Sequence, residues 1–279
     1  MLGQYKLILD TFCEVYDLLK HWADAEFWNF ANHEVTALTR AELDLTDTFA
    51  VNNHFVKNYY DAVIHCASQG RNNARSFDRD ILSSNVIAWA NLATNRSHYG
   101  KLINLASGAE FDLDKDIDCV DEYELWNRWP GHTYGLSKNI ISRLAHNLPN
   151  FYNLRIFGCF DSSEGSRRPL KRCLAQLTNE QLFEITGDKL FDMFSLTDLA
   201  TVIQAVLDGK ITDQDLNCVY PEKLKLSEII KMFADAHGLD SSLITVTSVD
   251  KHSYTGSGQR LGMYNLPLEG LELGLKNYC

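Results

Sequence analysis

From Lys6 to Leu207 the chain alternates short apolar runs with longer segments whose apolar residues recur every three or four positions. That alternation admits few folds. The apolar runs at 6–9, 34–38, 62–66, 102–105, 153–157 and 193–196 read as strands. The segments 13–29, 47–58, 78–95, 133–147 and 198–207 read as helices. A helix between successive strands carries the chain back across the sheet, so the strands lie parallel with helices on both faces. The expectation is a Rossmann-like, doubly wound α/β fold. After Gly158 the pattern loosens into DSSEGSRRPLKRCLAQL; after Asp213 it gives a short strand, a helix at 227–237 and a strand at 243–249.

Composition narrows the functional classes. With 279 residues, 45% of them hydrophobic, the chain can bury a large core. Its 26 basic and 37 acidic residues leave a net charge of −11, which argues against a nucleic-acid polymer or an anionic membrane as partner. The seven cysteines are odd in number and include no Cys-x-x-Cys pair, so they read as reduced thiols of a cytoplasmic protein. No apolar run approaches the roughly 20 residues that span a bilayer, and no basic segment leads into a signal-type apolar core. The histidines lack ligand spacing. Asp112, Asp114, Asp116 and Asp118 alternate as at the start of a calcium loop, but Ile117 and Tyr123 stand where the turn glycine and closing Glu belong. No metal is expected.

Three residues carry the strongest chemical signal. Tyr134 and Lys138 stand four apart in HTYGLSKNIISRLAHNL, and Ser107 ends the run KLINLAS. At that spacing on a helix a phenol and an ammonium share a face and can meet one ligand. A cation beside a phenol favours phenolate, which suits Tyr134 to acid/base work near neutral pH. Taken alone, the pair also fits a half-buried aromatic beside a snorkelling surface charge, and Ser107 also fits a strand-end hydroxyl capping the next turn.

In this setting the chain resembles the extended short-chain dehydrogenase/reductases, the nucleotide-sugar epimerases, dehydratases and reductases. HEVTALTR with DLTD is similar to the family's second strand and loop, and YDAVIHCAS to its third strand and turn. KLINLASGAEFD is similar to the strand that delivers the catalytic Ser or Thr, YGLSK to the Tyr-x-x-x-Lys helix, and NLRIFGCFD and LFDMFSLTDLATVI to later elements. The wording is most similar to that of GDP-L-fucose synthase-like reductases. The resemblance implies a dinucleotide-binding domain at 1–158, rejoined by 191–210, and a smaller α/β substrate-binding region from 159–190 and 211–279. It implies hydride transfer at C4 of a nucleoside-diphosphate sugar. Tyr134 would donate the proton, Lys138 would lower its pKa and hold the nicotinamide ribose, and Ser107 would bond the same sugar oxygen. Ser107 is followed by Gly108 and Ala109, not by the Asp-Glu pair of dehydratases or the second-position Cys of fucose synthases. Reduction of a 4-keto sugar or 4-epimerisation remains. The resemblance also implies a homodimer through the helices at 78–95 and 133–147.

For the cofactor, Arg40 follows the second strand, where an Arg suits an adenosine 2′-phosphate and favours NADP over NAD; a solvated loop charge fits it equally. The resemblance puts Asp44 near the adenine, and Cys66, Ala67 and Ser68 along the cofactor; Asp44 and Asp47 also fit helix capping. The basic cluster Arg167, Arg168, Lys171 and Arg172 suits a diphosphate or a solvated helix start. Trp126, Trp129 and His132 suit a sugar or base pocket, or packing. Against cofactor binding stands KLILDTFCEVYDLLK, with no glycine where a dinucleotide fold needs close backbone approach to pyrophosphate. The second reading is therefore a non-catalytic member of the same fold, serving as a binding or assembly module.

Overall fold

The computed structural model describes residues 6–11, 33–70 and 79–278. The expected helix at 13–29 and the glycine-free turn after Thr11 lie outside them. Among the described residues a six-stranded sheet, parallel throughout, forms the centre: β1 (Lys6–Thr11), β2 (Glu34–Thr39), β3 (Tyr60–His65), β4 (Tyr99–Ser107), β6 (Phe151–Ile156) and β10 (Asp215–Cys218). Their order is β10-β6-β4-β3-β1-β2. The chain steps outward from β1 to β2 and then returns to place β3 on the other side of β1. The C-terminal ends of β1 and β3 thus flank a switch in winding direction, where folds of this kind leave a ligand crevice.

Side-chain alternation sorts the core onto two faces. Ala62, Ile64, Ile103, Leu105, Leu154, Ile156 and Leu216 pack on one side with α5 (Leu196–Leu207). Val63, Leu102 and Phe151 pack on the other with α1 (Thr48–Lys57), α2 (Arg79–Thr94) and α3 (Thr133–Ala145). Caps fix where these helices begin. Asp47 accepts the Ala50 amide at 3.0 Å, His132 Nδ1 accepts the Gly135 amide at 3.1 Å, and Ser195 Oγ accepts the Asp198 amide at 3.1 Å. Asp47 is a helix cap, the role its sequence position suggests.

A smaller unit joins α4 (Pro169–Thr178), β8 (Phe183–Asp188), α6 (Leu226–Ala236) and β11 (Ile244–Val249) around Leu170, Cys173, Phe183, Ile230 and Phe233. β8 and β11 pair in parallel. Two further parallel pairs connect it to the sheet's C-terminal side: β5 (Ile117–Val120) with β12 (Tyr254–Gly256), and β7 (Cys159–Phe160) with β9 (Phe194–Ser195).

The structure departs from the sequence pattern in two places. The segment at 215–218, expected in the smaller region, is the outermost strand of the main sheet, with Asp215 beside Asn153 and Cys218 beside Ile156. Its sequence DLNC shows no apolar run because Asp215 and Asn217 are themselves buried. The expected strand at 193–196 shortens to Phe194–Ser195 outside the main sheet, because Leu196 already begins α5.

Candidate active site

Ser107 is the last residue of β4, and Tyr134 and Lys138 occupy the first turns of α3. Two contacts bring strand end and helix together. Lys138 Nζ, only 2% exposed as a residue, donates to the Leu105 carbonyl at 2.9 Å. At Gly135 the helix backbone runs so close to the Ala109 carbonyl that a Cβ there would collide with it. Asn139 Nδ2 adds a bond to the Glu110 carbonyl at 3.0 Å. Tyr134 is half-buried. Its carbonyl accepts from Ser137 Oγ at 2.7 Å, and Asn85 of α2 donates to that hydroxyl at 2.9 Å. The predicted set Ser107, Tyr134 and Lys138 therefore converges on one end of the sheet.

Two residues that sequence reasoning missed adjoin this set. His65, the last residue of β3, is buried; burial, then the nearby Lys138 cation, pushes its imidazole down to about 3. It stays neutral beside the ammonium. Tyr254 of β12 lies beside the Ser107 side chain, and burial holds its phenol well above the usual range. The His is visible in the sequence within YDAVIHCAS, directly after the apolar run AVI. Tyr254 carries no such signal, because it arrives from 147 positions downstream of Ser107.

A small recess, open to solvent, lies between the loop after β2, the loop after β3 and α2. Arg40, Asp44, Ala67 and Ser68, four of the five predicted cofactor contacts besides Lys138, line it with Thr46 and Asn85. Cys66 does not; its thiol lies in the core and faces the Ile64 carbonyl at 3.8 Å. Arg40 Nε pairs with Asp44 Oδ2 at 3.0 Å, and Thr46 donates its amide and hydroxyl to Asp44 Oδ1 at 2.9 and 2.7 Å. Burial raises the Asp44 carboxyl, but these bonds outweigh it and leave it below the usual range. The Ser68 hydroxyl is buried without a hydrogen-bond partner among the described residues. The orphaned Ser68 hydroxyl and the Arg40 guanidinium at the mouth of the recess are the groups that would hold the adenosine end of a dinucleotide.

The expected substrate contacts are more dispersed. Arg143 sits over the Trp129 ring at 3.9 Å and over Trp126 at 5.1 Å, so these indoles pack against α3. His132 is the buried helix cap. Arg168 NH2 donates to the Cys159 carbonyl at 2.7 Å, Lys171 Nζ to the Ser162 carbonyl at 2.6 Å, and Arg172 lies over Phe183 at 4.8 Å. Arg167 is exposed. The cluster is a helix start largely occupied by protein partners.

Residues 23–219 match the sequence profile of the NAD dependent epimerase/dehydratase family. No curated protein matches the chain in sequence. Among solved structures, a dTDP-4-dehydrorhamnose reductase from Bacillus anthracis in complex with NADP aligns with TM-score 0.81 at 14% identity, covering 100% of this chain and 98% of the other. A Clostridium acetobutylicum dTDP-4-dehydrorhamnose reductase aligns with TM-score 0.77 at 18% identity, covering 98% of each. A GDP-L-fucose synthetase from Naegleria fowleri bound to NADP gives 0.76 and 18%, covering 100% and 92%. At these identities the likeness establishes the fold.

Proposed function

Because the chain belongs to the NAD dependent epimerase/dehydratase family, the extended short-chain dehydrogenase/reductases, we propose that it is a nucleotide-sugar oxidoreductase. It works at C4 of a nucleoside-diphosphate sugar with NADP(H), as a 4-keto reductase or a 4-epimerase. The observation that carries the reading is the fastening of Lys138 to Leu105, which holds the Tyr134 helix against the strand ending at Ser107. The 4-keto reductases and NADP-bound structures among its structural relatives favour the same chemistry.

In this reading the dinucleotide supplies a hydride, and the chain supplies everything else. Tyr134 delivers a proton to the oxygen that gains negative charge, and the Lys138 ammonium favours the phenolate left behind. Ser107 donates to the same oxygen. His65, neutral at working pH, leaves Lys138 as the cation of the site. Arg40, Asp44, Ala67 and Ser68 hold the adenosine end, with Arg40 facing a 2′-phosphate. Arg167, at the exposed start of α4, meets the substrate diphosphate. Two copies pair through α2 and α3, whose Ile87 and Leu144 are 42% and 50% exposed; sedimentation of the variant Ile87→Asp as a monomer tests that pairing.

The test is a calorimetric titration with NADPH, followed by assay of NADPH consumption with 4-keto sugar nucleotides. Tyr134→Phe is expected to lower kcat at least ~100-fold with NADPH affinity retained. Unchanged turnover contradicts the assignment. Failure of the folded wild-type protein to bind NADPH or NADH favours the non-catalytic reading drawn from the glycine-free turn.

A further inference from the structure

Beneath Ser107 lies a row of buried polar side chains. On the sheet face that meets α3, alternation sets Asn153, Arg155, Asp215 and Asn217, none more than 6% exposed. Arg155 and Glu110 are both 0% exposed, and Arg155 Nε donates to Glu110 Oε2 at 3.0 Å. The other guanidinium nitrogens reach Asn217 Oδ1 at 3.2 Å and Asp215 Oδ1 at 3.4 Å. The second Glu110 oxygen, Oε1, accepts the backbone amide of Ser107 at 3.0 Å.

We infer that the Glu110–Arg155 pair is a positioning device for the Ser107 hydroxyl, acting through the Ser107 amide. The inference rests on Ser107 acting in the proposed reaction. Ser107 and Glu110 form a capping box, a local motif that ordinarily sits at a solvated helix start. Here the carboxylate is taken wholly out of water and opposed by a wholly buried guanidinium. Desolvation makes such a pair a poor source of stability, and apolar replacements of similar volume are often neutral or better. What the pair does supply is direction. Arg155 of β6 is gripped by Asp215 and Asn217 of β10 as well as by Glu110, so Glu110 Oε2 is tied to two strands of the sheet, and Oε1 and the Ser107 amide are fixed with it. The hydroxyl then has a set origin and accepts the Ala109 amide at 3.2 Å.

Glu110→Gln separates this from mere packing. One carboxamide cannot present an oxygen to both donors, and the charged Arg155 takes it in preference to the Ser107 amide. Losing the register of the hydroxyl is expected to lower kcat roughly ten- to a hundredfold, with KM for NADPH unchanged. In a Ser107→Ala background, which retains the amide but has no hydroxyl to aim, Glu110→Gln is expected to lower kcat no further. Equal factors in both backgrounds would overturn the inference and leave Ser107 in its role. If Ser107→Ala alone leaves kcat unchanged, the role of Ser107 in the proposed function falls, and the positioning falls with it. Should Glu110→Gln not fold, by circular dichroism, Arg155→Lys in the same two backgrounds carries the same expectation: it keeps the charge but lacks the planar fork that spans Glu110, Asp215 and Asn217.

Discussion

Lys138 Nζ donates to the carbonyl of Leu105 at 2.9 Å, two residues before Ser107, so one buried ammonium joins the helix of the phenol to the strand of the hydroxyl. Lys138→Met removes both the fastening and the cation beside Tyr134. It is expected to lower kcat at least ~100-fold and to cost about 1 kcal/mol of stability, read from NADPH consumption and urea unfolding. A variant with wild-type kcat would contradict the role.

Gly135 sets how closely helix and strand approach. Alanine is about 1 kcal/mol better than glycine inside a helix, yet its Cβ would collide with the Ala109 carbonyl and the His132 ring. The collision involves backbone and dominates, so Gly135→Ala is expected to destabilise the protein by about 1–3 kcal/mol and to lower turnover. A higher melting temperature would show that the approach is looser than described.

His65 gives the protein an acid limit. Its imidazole is pushed down to about 3 when folded, against about 6.5 unfolded. A depressed folded pKa means that its contribution is full above pH 6.5 and is lost as pH falls towards 3. Between pH 7.5 and pH 5 wild type is expected to lose about 2 kcal/mol more stability than His65→Asn. Equal losses in urea unfolding at the two pH values would refute a neutral buried imidazole.

Arg40 tests cofactor choice. With its guanidinium at the mouth of the recess, Arg40→Ala is expected to weaken NADPH about tenfold and leave NADH unchanged, the loss of one charge-assisted contact. Calorimetric losses equal for both would show that Arg40 faces no 2′-phosphate.

Much of this was legible in the chain. The main strands and helices follow their apolar periods, and Ser107, Tyr134 and Lys138 occupy the positions their residue types suggest. The short strand at Asp215–Cys218 was visible, but its place at the edge of the main sheet was not, because Asp215 and Asn217 give its buried face no apolar signal. Glu110 was half-visible: Ser107 and Glu110 have capping-box spacing, but only the fold buries the carboxylate against Arg155, 45 residues away. The aromatic pair Trp126 and Trp129 suggested a ligand wall or packing; Arg143 of α3 lies over both rings, which stay 40% and 56% exposed. Local patterns reveal elements and motifs; long-range polar partners depend on sheet order, which local patterns do not encode.

The central claim is hydride delivery to a sugar carbon with Tyr134 as proton donor. Its most direct test is incubation with NADPH carrying deuterium at the nicotinamide C4 and a 4-keto nucleoside-diphosphate sugar, with the product analysed by mass spectrometry and NMR. Deuterium at sugar C4 with wild type, and none with Tyr134→Phe, is the predicted result. No deuterium in the sugar from folded, NADPH-bound wild type across dTDP- and GDP-linked 4-keto sugars would contradict it.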